Sequence, residues 1–102
     1  MYPVVETKRA EVAELCARHN VRRLELFGSA VRGGFDPAAS DLDFLVQFKP
    51  MPPGEYPDHF FGLQEALEAL FHHHVDLIEL GPIRNPYFLA AIQPTRVELY
   101  AG

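Results

Sequence analysis

Apolar and polar residues alternate along two short stretches of this chain and recur at helical spacing along three others. Residues 7–19 place Val12, Leu15, Cys16 and His19 on one face, which predicts a helix with Thr7 as its N-cap. "RRLELF" (22–27) alternates and predicts a strand. "GSAVRGG" predicts a tight turn and one or two helical turns, ended by the Gly33-Gly34 pair, and "FDPAAS" a loop. "DLDFLVQF" (41–48) alternates again, with Leu42, Phe44, Val46 and Phe48 on one side and Asp41, Asp43, Leu45 and Gln47 on the other.

Past the Pro-rich surface loop "KPMPPGEYP" (49–57), Asp58 is placed to cap a helix whose stripe is Phe60, Leu63, Leu67, Leu70 and Phe71. The imidazoles of His72, His73 and His74 follow and are expected to serve the dipole at that helix end rather than a metal. "VDLIEL" (75–80) predicts a third strand. Asn85-Pro86 opens a short helix through Ile92, and "RVELY" (96–100) predicts a last strand. The order αβαβαβαβ gives an α/β (α+β) fold, a small mixed β-sheet with helices packed on it, in one domain over residues 1–102.

Composition narrows the classes. The chain is 48% hydrophobic and 23% charged, an ordinary globular balance, with eight Phe, four Tyr and no Trp. A formal charge of -5 argues against a protein that coats nucleic acid, so no direct nucleic-acid partner is expected. Cys16, the only cysteine, can form no intramolecular disulfide and reads as core. No segment approaches a bilayer span and the N-terminus does not read as a signal peptide, so the expected location is a reducing cytoplasm.

The chemistry is concentrated in residues 28–43. Asp41 and Asp43 are two apart on a strand and so project from one face, where neighbouring carboxylates raise each other's pKa unless a cation intervenes. Mg²⁺ answers that need, since it takes one or two carboxylates together with waters and substrate phosphates. An exposed edge strand would carry an Asp-x-Asp equally well. The turn before it adds a second signal. Gly28 and Ser29 follow a strand and open a helical turn, which offers backbone N–H groups and a hydroxyl to a phosphate, while Arg32 lies three residues on.

"GSAVRG" (28–33) followed by "SDLD" (40–43) resembles the signature of the DNA polymerase beta-like nucleotidyltransferase superfamily. The short length points to its minimal nucleotidyltransferase (MNT) branch. The resemblance implies that Gly28, Ser29, Arg32 and Ser40 bind the nucleotide. It also implies that Asp41, Asp43 and a third acid on a neighbouring strand are catalytic and hold two Mg²⁺ ions. Of Glu55, Asp58, Glu65, Glu68, Asp76 and Glu79, Asp76 between Val75 and Leu77 matches the family's apolar-acid-apolar pattern. One departure is Gly34, where many relatives carry an acid.

MNT-domain proteins are commonly antitoxins paired with a HEPN-domain ribonuclease toxin, which implies a hetero-oligomer and transfer of AMP from ATP to a toxin tyrosine hydroxyl. Two alternatives stand beside this. One is an antitoxin that neutralises by binding alone; the other is an enzyme acting on a small molecule such as an aminoglycoside.

Overall fold

The computed structural model describes residues 2–33, 35–80 and 85–102. The N-terminal helix divides into α1 (Pro3–Thr7) and α2 (Arg9–Arg18). The single helix expected over 7–19 is thus corrected on two points. Lys8 leaves the helical region at φ -106° and ψ 20°, and its ammonium reaches the Leu70 carbonyl at 2.9 Å. Thr7 closes α1 instead of opening α2, donating its hydroxyl to the Val4 carbonyl at 2.9 Å. A seven-residue apolar spacing alone does not reveal such a break.

Strand β1 (Val21–Phe27) runs into the four-residue helix α3 (Ser29–Arg32), closed by Gly33 in the left-handed conformation. Gly34 of the expected Gly-Gly stop lies outside the described residues. Strand β2 (Leu42–Phe48) follows, then a 3-10 turn over Pro53–Glu55 and helix α4 (Tyr56–Phe71). Asp58 sits within the first turn of α4 and makes no capping bond, because the helix begins two residues earlier with Pro57 in its first positions. Strand β3 (Val75–Glu79) leads to α5 (Pro86–Ile92), whose Asn85 cap accepts the N–H groups of Tyr87 and Phe88 at 2.9 and 3.2 Å. A 3-10 turn over Gln93–Thr95 ends in β4 (Val97–Ala101), one residue later than the alternation predicts.

The sheet order is β3-β2-β1-β4, with β1 antiparallel to both neighbours and β2 parallel to β3. Each face is covered by apolar material. On one face, Leu24, Leu26, Leu42, Phe44, Val46 and Val75 meet Val12 and Cys16 of α2 and Leu63 and Leu67 of α4, all fully buried. Burial pushes the Cys16 thiol up to about 12, which fits its reading as core. On the other face a smaller cluster of Phe27, Leu45 and Ile92 is flanked by Phe88 and Leu89 of α5. On this face α5 and the end of β1, among the described residues, border a cleft. Among the described residues, no helix is long and apolar enough to cross a membrane.

Candidate active site

Strand register decides which acids meet. Asp43 pairs with Phe27 across the antiparallel β1–β2 ladder and with Asp76 across the parallel β2–β3 ladder. Residues in register share a face, so the two carboxylates stand side by side on the face carrying the Phe27 cluster. Both lie near the edge of the sheet where β1 ends and β2 and β3 begin.

Beside them the chain turns from β1 into α3 at Gly28. Its backbone stands at φ 79° and ψ -149°, a region that side-chain-bearing residues avoid. The space is filled as well: a Cβ at this position would lie 2.7 Å from Asp43 Oδ2. The missing side chain therefore lets the β2 carboxylate press against the turn backbone.

The result is a cleft of about 440 Å³ lined by Phe27, Gly28, Ser29, Arg32, Asp43, Ala91, Ile92 and Thr95. Asp43 is half-buried within it. Burial first, then the Asp76 and Asp41 carboxylates, hold its acid group above the ordinary carboxylate value. The site therefore accumulates more negative charge than its own protein surroundings neutralise. A hard cation or a cationic side chain would relieve that imbalance, and Asp43 with Asp76 matches the one or two carboxylates that Mg²⁺ accepts.

The remaining expected site residues are distributed unevenly. Arg32, Ser29 and Gly28 line the cleft with Asp43. Asp41 falls one residue before β2 and is turned outward, its Oδ1 3.2 Å from His74 Nδ1. Asp41 nevertheless acts on Asp43, being one of the two carboxylates that raise its acid group. Among the described residues no three acid, His or Cys side chains form a ready-made metal cage.

Ser40 stays in the loop, where its hydroxyl accepts the Asp36 N–H at 3.2 Å and its own N–H donates to the Asp36 carbonyl at 2.7 Å. The histidines also depart from their expected role. His72 adopts a left-handed cap, His73 Nε2 lies 2.9 Å from the Pro37 carbonyl, and His74 holds Asp41. His73 and His74 tie the end of α4 to the segment before β2.

Sequence reasoning missed the far wall of the cleft. Thr95 is buried, accepts the Gly28 N–H on Oγ1 at 3.1 Å and donates to the Ile92 carbonyl at 2.9 Å. Nothing local in "IQPTRV" marks that threonine as a neighbour of residue 28.

Comparison with known proteins gives the family of the chain. Residues 10–98 match the family model described as nucleotidyltransferase domain. The chain is 36% identical over 78 residues to MJ0128 of Methanocaldococcus jannaschii, named by inference as a protein adenylyltransferase, with 74% of each chain covered. It is 38% identical over 76 residues to the protein adenylyltransferase MntA of Thermococcus cleftensis, covering 74% of this chain and 73% of that one. A solved structure, assigned by inference to a minimal nucleotidyltransferase, superposes with a TM-score of 0.74 at 30% identity over 94% of this chain and 93% of that one. The complex of tri-AMPylated Shewanella oneidensis HEPN toxin with its MNT antitoxin shares the fold, with a TM-score of 0.63 at 16% identity over 95% of this chain and 72% of that one.

Proposed function

The chain belongs to the nucleotidyltransferase domain family, and we propose that it moves AMP from ATP to a tyrosine hydroxyl of a HEPN-family toxin, acting as that toxin's antitoxin. The observation that carries this reading is the Asp43 carboxylate. It is held above its ordinary pKa by burial and two acidic neighbours, and it is pressed against the Gly28 turn in an open cleft. An arrangement that costs folding energy at neutral pH makes physical sense where a divalent cation arriving with a phosphate-bearing ligand completes it. Relatives named as protein adenylyltransferases, and the fold shared with an MNT antitoxin bound to its HEPN toxin, support the choice of acceptor and partner.

The residues divide the work by position. Ser29 receives the triphosphate at the turn, Gly28, whose own N–H is bonded to Thr95, allows its close approach by lacking a side chain, and Arg32 adds a guanidinium from the same wall. Asp76 stands beside Asp43 on the outer, exposed side, where an acceptor hydroxyl can approach, and takes the hydroxyl proton. The acceptor oxygen then forms its bond to the α-phosphorus, the bond to the β-phosphate oxygen breaks, and diphosphate leaves. Asp41, Asp43 and Asp76 are the residues that would hold two Mg²⁺ ions, which when bound supply charge neutralisation at the phosphates and a lower pKa for the attacking hydroxyl. The added phosphodiester would place negative charge and bulk on the toxin.

One observation favours a second reading, an antitoxin that works by binding alone: Asp41 Oδ1 lies 3.2 Å from His74 Nδ1, so one of the three acids already has a partner within the chain. The two separate in one experiment. The protein is purified with its co-expressed toxin and given ATP and Mg²⁺, and intact masses are recorded for wild type and Asp43→Ala. An AMP-sized gain on the toxin with wild type alone is expected. A stable complex whose masses never change would replace the transferase with the binding antitoxin.

A further inference from the structure

Glycine at position 28 solves a steric problem and creates another. It allows the backbone the conformation and the close Asp43 contact described above, yet a glycine peptide is the least constrained in the chain. Something must hold it if the turn is to present a fixed surface to a ligand. On the α3 side the Gly28 carbonyl accepts the Val31 and Arg32 N–H groups at 3.0 and 3.2 Å, and on the β1 side the Thr95 hydroxyl is the restraint on its N–H. The hydroxyl proton is committed to the Ile92 carbonyl at 2.9 Å, which leaves the oxygen facing Gly28 as an acceptor for its N–H at 3.1 Å.

Thr95 is itself anchored from the other side. The next residue, Arg96, donates Nε and Nη2 to Glu25 Oε1 at 3.1 and 2.7 Å and Nη1 to Gln93 Oε1 at 3.0 Å. Glu25 is buried on β1 and receives a further bond from Arg23 at 3.1 Å. The turn over Gln93–Thr95 is therefore clamped to the same strand that leads into Gly28.

We infer that Thr95 is a positioning residue for the phosphate-binding turn: its hydroxyl fixes the Gly28 peptide and so pre-sets the Ser29 wall of the cleft for the triphosphate. This rests on reading Gly28 and Ser29 as the triphosphate turn. The expected consequence is a loss of nucleotide affinity when the hydroxyl is removed with the side-chain shape kept. One hydrogen bond and one stranded N–H correspond to about a tenfold change in Kd.

The test compares wild type, Thr95→Val and Thr95→Ser for binding of a non-hydrolysable ATP analogue with Mg²⁺ by calorimetry, alongside amide exchange at Gly28 by NMR. Thr95→Val should bind about tenfold more weakly and lose protection at the Gly28 amide, while Thr95→Ser, which keeps the hydroxyl and loses the methyl, should restore both. A wild-type affinity retained in Thr95→Val overturns the inference, as does a Thr95→Ser variant as weak as Thr95→Val, since packing would then be responsible.

Should Thr95→Val not fold, rapid exchange of the Gly28 amide in the wild-type protein overturns the inference by itself, and slow exchange there with rescue in Thr95→Ser supports it. A wild type that binds the analogue but never modifies its toxin defeats the transfer reading alone. A wild type that does not bind it defeats both.

Discussion

Asp43 is a residue whose effect on stability opposes the role in transfer proposed for it. Its folded-state pKa is raised, so the fold prefers the protonated acid. The ionised group thus costs stability above the raised value, and that cost is relieved as pH falls toward the ordinary carboxylate range. In the absence of divalent ions at pH 7, Asp43→Asn should therefore melt a few degrees higher than wild type, with the gap narrowing on acidification. The same variant should lose transfer by more than about a hundredfold. Thermal unfolding across pH, set beside the transfer assay, checks both halves.

Gly28 is the complementary case. Gly28→Ala meets both a disallowed backbone region and a carboxylate oxygen at 2.7 Å, and should cost about 1–3 kcal/mol in denaturant unfolding as well as nucleotide binding. Much of this was readable in the chain. A glycine between a strand and a polar helical turn announces a special conformation, and alternation puts Asp43 opposite Leu42 and Phe44. The contact between Gly28 and Asp43 was not readable, because it depends on a ladder joining two separate strands.

At the scale of elements, the strands and the last helix followed from local chemistry, and the starts of α2 and α4 did not. Asn85 followed by Pro86 is a cap and a first-turn residue whatever lies around them, and both act as such. Thr7 and Asp58 are equally good caps in isolation, yet a lysine tie to Leu70 and a proline-led entry to α4 set those boundaries instead.

The clamp on the turn before β4 is the strongest example of long-range control. Arg96 and Glu25 are 71 residues apart, and no periodicity connects them. Replacing Arg96 with Met should cost about 3 kcal/mol, because it strips a buried carboxylate of its principal partner and, among the described residues, leaves only Arg23. Equilibrium unfolding in urea measures it. Glu25→Gln, which removes the charge together with the need for a counter-charge, should cost clearly less.

Over the whole molecule, the two faces of the sheet carry different duties. One is sealed by α2 and α4 over a fully buried layer, and on the other, among the described residues, α5 borders the cleft beside Asp43. Stability and ligand capture are thus separated in space but share β1 and β2. Binding should accordingly report globally. With Mg²⁺ and a non-hydrolysable ATP analogue at about 100 times Kd, unfolding should become harder by about 2.7 kcal/mol in wild type and by much less in Asp43→Asn. Cys16 offers a second global readout. Its thiol is buried and pushed up to about 12, so a thiol-specific reagent should label it only as fast as the native fold opens, and bound nucleotide should slow that labelling.

The parallel register that sets Asp43 opposite Asp76 also limits how this chain can drift over evolutionary time. Strand faces alternate, so a single inserted or deleted residue at positions 72–74 that slid β3 by one step would turn Asp76 inward and bring Val75 and Leu77 to the cleft. Natural variation in length should therefore collect in the Pro-rich stretch after β2, where no facing pair is at stake, and avoid the three histidines. The number of residues in that connection thus acts as a reading frame for the proposed active site.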